Sequence, residues 1–187
     1  MNNYTPILDK VISIKINSPL ILLDYIKHKA QKSEGWHSLF GGGSPEKKFS
    51  KLEIDPHDPK DFDSAYIAGL AYSLLLQIYT HGGYKYFDPY MYYCGISIKN
   101  KHKIGFPHTD HTLEGDSLKD YPVLKILGIL DIDWKPEWGG GFVWNQKPYS
   151  MSPNEFLIFD PKILHSGDRI NNNKNRVTID FTVPFKK

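Results

Sequence analysis

Up to about residue 90 the apolar positions fall mainly at helical spacing, and from Tyr90 onward they alternate or form short blocks cut by proline and glycine. The segment Val11–Ile16 reads as a first strand. Ser18 and Pro19 then make a helix start, an N-cap hydroxyl followed by a proline at the first helical position. Leu22, Leu23, Ile26 and Ala30 follow at helical spacing, which predicts a helix with one buried face. Gly41 to Gly43, with Ser44 and Pro45, predict a flexible loop. A phosphate cradle is not indicated there, because no Gly-Lys-Ser/Thr follows and no strand precedes. The longest predicted helix spans 61–80, with Asp61 or Asp63 as its cap, Leu70, Leu74 and Ile78 along one side, and Gly82 to end it. Its later half is apolar nearly all round, so it is expected to pack against a sheet.

Strands are predicted at 90–98, 104–110, 122–132, 141–145, 155–160 and 176–183, punctuated by Pro122, Pro136, Pro148, Pro153 and Pro161 and turned at Gly139-Gly140-Gly141. Helices first and short strands afterwards point to a mainly β fold, a sandwich or jelly roll with supporting helices on one face. A length of 187 residues fits one domain. Within it, residues 1–89 would supply mixed, mainly helical support and 90–187 a jelly-roll catalytic core. No repeat and no low-complexity segment interrupts this pattern.

Composition narrows the class without naming a chemistry. Hydrophobic content of 40% and charged content of 24% are ordinary for a globular domain. The net charge is +2 and the lysines are scattered in short groups, at 47–48, 99–103 and 186–187, so a nucleic-acid partner is not expected. The single cysteine, Cys94, excludes a disulfide framework and a thiolate metal cluster, and its apolar surroundings predict an inert buried thiol. The N-terminus lacks a basic start, a sustained apolar run and a small-residue cleavage site. No apolar run approaches the ~20 residues of a membrane span. A soluble, cytoplasmic protein is therefore expected.

Candidate chemistry begins at His108-Thr109-Asp110. Two residues apart on a strand, His108 and Asp110 would point to one face, as a chelating pair must. His165 follows the apolar strand Phe156–Phe159 and the turn at Asp160-Pro161, and could join them from a neighbouring strand. Two imidazoles and one carboxylate can occupy one face of an octahedral metal and leave three positions open, as in non-haem Fe(II) oxygenases. The last strand alternates. Val177, Ile179, Phe181 and Val183 share one face, and Arg176, Thr178, Asp180 and Thr182 share the other. Arg176 and Thr178 would then point together, a guanidinium fork beside a hydroxyl, suited to a carboxylate.

Alone, a His-x-Asp is a weak signal and His165 an ordinary structural histidine. His111 would point away from Asp110, and His28, His37, His57, His81 and His102 have no ligand spacing. The joint occurrence of the triad, the Arg176/Thr178 pair and the strand-rich context carries the reading.

With these residues in view, the chain resembles the Fe(II)/2-oxoglutarate-dependent dioxygenases, in particular their prolyl-hydroxylase-like branch. That family combines His-x-Asp, a distal His, and an Arg or Lys a little further on, which here are His108, Asp110, His165 and Arg176. The block from Leu130 to Gly141 is similar to the family's strand, acidic turn and paired glycines, and the resemblance covers roughly residues 90–185. Two departures stand out. Phe142 follows the glycines where many relatives carry an acid, and the stretch from Thr112 to Tyr121 is long and polar. The resemblance implies a double-stranded β-helix with Fe(II) on His108, Asp110 and His165. It also implies that 2-oxoglutarate is held at its distal carboxylate by Arg176 and Thr178, with Tyr92 or Tyr93 assisting and Lys125 as an alternative anchor. The implied reaction consumes dioxygen, releases succinate and CO2, and hydroxylates an unactivated carbon in a peptide, a protein side chain or a small metabolite. Competing readings are a nucleobase demethylase on the same scaffold, with Trp36, Trp134, Trp138 or Trp144 as stacking platforms, and a cupin-type metal protein without the co-substrate. A non-catalytic jelly-roll binding module, with or without the metal, is the reading outside enzymology. Oligomeric state is left open.

Overall fold

The alternating segment that ends the chain forms β10 (Arg176–Pro184), and the rest of the fold is arranged about it. The computed structural model describes residues 5–17, 20–40, 48–102, 105–110 and 122–186, with side chains throughout except at 37–40 and 48–50. Ser18, Pro19, the glycine loop at 41–45, His111 and the polar stretch 112–121 lie outside the described residues. In chain order the elements are β1 (Ile12–Lys15), α1 (Leu20–Lys32), β2 (Trp36–Phe40), β3 (Lys48–Ile54), α2 (Phe62–Thr80), β4 (Tyr93–Lys99), β5 (Val123–Ile129), β6 (Phe142–Trp144), β7 (Lys147–Tyr149), β8 (Glu155–Phe159), β9 (His165–Gly167) and β10.

A seven-stranded sheet runs β1-β8-β5-β10-β4-β3-β2, and a three-stranded sheet runs β7-β6-β9. All their pairings are antiparallel. The small sheet is continued past β9 by a single bridge between His165 and His108. Two antiparallel sheets face to face make the expected jelly roll.

The alternation of β10 explains the layering. Val177, Ile179, Phe181 and Val183 are all buried in one cluster with Leu23 and Ile26 of α1 and Ile67, Ala71, Leu74 and Ile78 of α2. Each fully buried side chain of this size contributes about 1.5–3 kcal/mol. The other face of β10 looks between the sheets. There Ile129, Leu157 and Phe159 of the large sheet pack on Phe142 and Trp144 of the small one.

α2 starts and stops where its sequence predicts. The Asp61 carboxylate accepts from the Ser64 amide at 2.6 Å, and Gly82 follows the helix with φ +138°, a conformation that glycine adopts without strain. The helix does not bury its whole circumference, because Phe62, Tyr66, Tyr72 and Leu76 remain on an outer face.

Two expectations need correction. Residues 36–54 supply the β2–β3 hairpin that extends the large sheet beyond β4, so the first half of the chain is more than helical support. The predicted strand at 104–110 is not formed over its described residues, where only His108 is bridged. Pro107 has no amide proton to continue a ladder there.

Candidate metal centre

His108 and His165 are brought together by backbone. Each donates its amide to the other's carbonyl, at 2.9 and 2.8 Å, and their rings stand 4.5 Å apart between centroids. Asp110 is held by its amide on the Pro161 carbonyl at 2.9 Å. That turn precedes His165, so the two short segments fold onto each other. Same-side placement of His108 and Asp110 therefore survives without a regular strand.

The donor atoms converge. Asp110 Oδ1 lies 3.5 Å from His108 Nε2 and 3.6 Å from His165 Nε2, and the ligand atoms all fall within 4.8 Å of one another. Donors at right angles about an ion at ~2.1 Å would stand ~3 Å apart, a small side-chain adjustment from this arrangement. Both imidazoles are also fixed in the tautomer a metal needs. His108 Nδ1 donates to the Phe106 carbonyl and His165 Nδ1 to the Ile163 carbonyl, each at 2.8 Å. A carbonyl only accepts, so Nδ1 carries a proton and Nε2, the atom a metal would take, is turned to Asp110. His165 is buried against Phe142 and Phe159, whereas His108 stays half open. One wall of the centre is thus dry and the other accessible.

The triad opens into a cavity of about 160 Å³ between the sheets. Arg176, Thr178 and Asp180 line it, as the alternation of β10 predicts. Arg176 is only 2% exposed, and among the described residues its guanidinium has one long hydrogen bond, from Nη1 to the Gly141 carbonyl at 3.4 Å. Among the described residues its buried Nε has no partner. Burial pushes this guanidinium down to about 10, and the carboxylates of Asp131 and Asp168 offset that only in part. Gly140 (φ +68°) leaves the room the guanidinium occupies, since a Cβ there would lie 3.2 Å from Nη1. Gly140 therefore serves Arg176, whereas a Cβ on Gly139 would meet the Arg169 carbonyl and one on Gly141 the Tyr149 carbonyl.

Lys125, on β5, reaches the same cavity but has ionic partners. Its ammonium lies 3.0 Å from Asp180 Oδ1 and 3.8 Å from Asp110 Oδ2. Burial alone would lower its pKa, yet Asp180 and Asp110 hold it above the ordinary lysine range. Lys125 thus takes one oxygen of the Asp110 carboxylate and leaves Oδ1 for the two imidazoles. Burial pushes the Asp110 carboxyl up, but His165, Lys125 and His108 outweigh it and bring the group down to about 2. The ligand carboxylate is ionised over the whole physiological range.

Tyr92 and Tyr93 are not brought to Arg176. Tyr93 pairs with Thr182, six residues along β10 from Arg176 and so roughly 20 Å away at ~3.3 Å per residue. Its hydroxyl donates to Glu53 at 3.0 Å. Tyr92 packs its ring on Tyr90, and neither tyrosine lines the cavity. Cys94 is buried, and burial pushes its thiol well up, consistent with an unreactive residue. None of the four tryptophans lines the cavity. The indoles of Trp36, Trp134 and Trp144 donate instead to the carbonyls of Ala30, Gly139 and Asp160.

The residue pattern did not single out Lys51, Ser97 or Lys99, which also line the cavity. A signal was present in β4, where Tyr93, Gly95, Ser97 and Lys99 alternate with Cys94, Ile96 and Ile98.

No protein-family model and no curated protein sequence matches this chain. Solved structures do. A prolyl-4-hydroxylase from Pseudomonas putida aligns over 94% of this chain and 92% of its own, at 12% identity and a TM-score of 0.60. HygX from Streptomyces hygroscopicus, with nickel and 2-oxoglutarate bound, aligns over 93% and 82% at 11% identity and a TM-score of 0.64. The non-heme alpha ketoglutarate dependent carbocyclase SnoK from nogalamycin biosynthesis aligns over 93% and 79% at 11% identity and a TM-score of 0.65. The chain has the fold of the 2-oxoglutarate- and Fe(II)-dependent oxygenases.

Proposed function

We propose that this protein is an Fe(II)- and 2-oxoglutarate-dependent dioxygenase that hydroxylates an unactivated carbon of a peptide, a protein side chain or a small metabolite. The observation that carries the reading is one cavity with a His-Asp-His donor face on one wall and a buried, under-satisfied guanidinium on another. A metal centre alone accounts for the first feature. An anionic ligand accounts for the second, because a buried cation that Asp131 and Asp168 offset only in part is costly to keep.

Fe(II) on His108, Asp110 and His165, together with 2-oxoglutarate, supplies the oxidising chemistry, in which dioxygen is consumed and succinate and CO2 leave with the hydroxylated product. The residues of this chain do the positioning. Nδ1 hydrogen bonds orient both imidazoles, Lys125 turns Asp110 to present one oxygen, and Arg176 with Thr178 receives the distal carboxylate of the co-substrate. Phe142 and Phe159 keep the His165 side apolar. Asp110 stands where halogenating relatives need a small residue, which favours hydroxylation. A small-molecule or peptide substrate agrees with the neighbouring folds, which include a prolyl-4-hydroxylase and HygX with hygromycin B bound. The absence of any tryptophan from the cavity lining weighs against a base-stacking demethylase. No described helix is long and apolar enough to cross a membrane, and we place the enzyme in the cytoplasm.

The test is anaerobic addition of Fe(II) and then 2-oxoglutarate to the purified protein. The expected result is the weak visible charge-transfer band of the chelate, lost in His108→Ala. Iron binding without the band would overturn the co-substrate assignment and favour a cupin-type or binding role.

A further inference from the structure

Across β4 and β10, Lys99 is directly opposite Arg176, and Ser97 is directly opposite Thr178. All four side chains line the cavity. Like charges directly opposed on one face of an antiparallel pair repel, so a sheet ordinarily avoids this arrangement. Here the two cations also converge. A Cβ placed on Gly167 would lie 2.9 Å from Lys99 Nζ and 3.6 Å from Arg176 Nη2. By the triangle inequality those two nitrogens are at most 6.5 Å apart, the sum of the two distances. Gly167 sits on β9 in the small sheet, so the opposite wall has been cut back where the charges meet. Among the described residues the guanidinium is satisfied only in part, with Nη1 on the Gly141 carbonyl and the buried Nε without a partner.

We propose that Lys99 is a second anchor for the distal carboxylate of 2-oxoglutarate, acting with Arg176, and that Gly167 is the glycine that makes room for the carboxylate between them. The inference rests on the co-substrate reading above and adds to it a two-cation clamp with hydroxyls from Ser97 and Thr178 in the next row. A single carboxylate between an ammonium and a guanidinium offsets the like-charge repulsion and supplies the guanidinium with an acceptor. The clamp makes selection for a five-carbon dicarboxylate a property of the β4–β10 pair and not of Arg176 alone.

The test measures binding and not turnover. Ni(II)-loaded protein is titrated calorimetrically with 2-oxoglutarate and with 2-oxopentanoate, which has the same chain and 2-oxo acid head but no distal carboxylate. The wild type is expected to prefer 2-oxoglutarate strongly. Lys99→Met is expected to weaken 2-oxoglutarate roughly 10- to 100-fold, the worth of one hydrogen bond to a charged group, and to leave 2-oxopentanoate unchanged. Lys99→Arg, which keeps the charge, retains most of the preference. Gly167→Ala, which fills the gap, loses it. The inference is overturned if Lys99→Met leaves 2-oxoglutarate binding intact while Arg176→Met abolishes the preference. It is equally overturned if Lys99→Met weakens both ligands alike, which would mark a structural role. A wild type that fails to distinguish the two acids overturns the co-substrate reading itself. Should Lys99→Met fail to fold, Lys99→Arg and Gly167→Ala decide the matter by the same comparison.

Discussion

Of the four cations that line the cavity, Lys125 and Arg176 are held in opposite ways. Lys125 lies between Asp180 and Asp110, with a carboxylate oxygen at 3.0 Å and another at 3.8 Å, and its charge is reinforced above the ordinary lysine range. Arg176 is more deeply buried, has one long hydrogen bond, leaves its Nε without a partner among the described residues, and is pushed down to about 10. A cation with ionic partners is part of the scaffold. One that the scaffold leaves short of acceptors is a receptor for an anion. The same sheet face carries both because β10 sends Asp180 toward Lys125 but offers no acid beside Arg176, where β4 instead contributes Lys99. Glycine repeats the contrast. A Cβ on Gly95 would lie 2.6 Å from Asp180 Oδ2, so that glycine makes space for an acid already present, whereas Gly167 makes space among cations.

The largest effect expected is outside the contrast and defines its frame: Asp110→Ala should abolish Fe(II)-dependent succinate production. Undiminished succinate in that variant would remove the metal centre and with it the meaning of both cations. Next comes Arg176→Met, which should weaken 2-oxoglutarate by about 2–5 kcal/mol, the range for truncating one member of a buried charge pair. The same variant should leave the thermal midpoint of the ligand-free protein unchanged or raised, because it deletes a buried charge that Asp131 and Asp168 compensate only in part. A clear fall in that midpoint would show Arg176 to be a structural cation like Lys125 and erase the distinction. Lys125→Met should do the reverse. Metal affinity should drop ~10- to 100-fold, as for other groups that orient a ligand, with the preference for 2-oxoglutarate over 2-oxopentanoate retained. Its thermal midpoint should fall, because Asp180 is left buried without its partner, and Lys125→Met/Asp180→Asn should recover part of the loss. If metal affinity does not move, Lys125 is not what orients Asp110.

The smallest effect calibrates the thermal readout far from the cavity. Asp61→Ala should lower the midpoint by about 2–4 °C at neutral pH through loss of the α2 cap. The hydrogen bond from Ser64 holds the Asp61 carboxyl below 3.8 in the folded protein. Its contribution is therefore complete above pH 3.8 and is lost as pH falls through the depressed folded value. The gap between wild type and Asp61→Ala, measured from neutral pH downward, should close below pH 3.8. A gap that persists there would mean the cap acts without its charge.

Much of this arrangement is legible without coordinates, and each success has a local cause. The alternation of 176–183 assigns Val177, Ile179, Phe181 and Val183 to the helices and Arg176, Thr178 and Asp180 to the cavity, because a strand has a period of two whatever it pairs with. The limits of α2 follow from Asp61 and Gly82, whose effects reach only one turn. His108 and Asp110 fall on one side, although the expected strand is reduced, over its described residues, to a single bridge from His108 to His165. Register is another matter. Nothing in the residues near 93 says that Tyr93 meets Thr182 and that Lys99 meets Arg176, so the tyrosines were assigned to the wrong end of β10 and Lys99 to none. The β2–β3 hairpin is not marked by a local pattern, because β2 is only five residues long and β3 carries Lys48, Lys51 and Glu53, and it is the β4 edge that pairs with β3 and so draws the hairpin into the sheet.

By itself, then, the sequence determined the parity of the last strand, the ends of the long helix and the identity of the candidate donor set, since these rest on residue type and on neighbours within a few residues. Tertiary structure alone decided which cation is paired and which is left short of acceptors. That outcome depends on pairing between strands nearly eighty residues apart, on the Gly167 gap in the opposing sheet, and on burial, none of which a local pattern encodes.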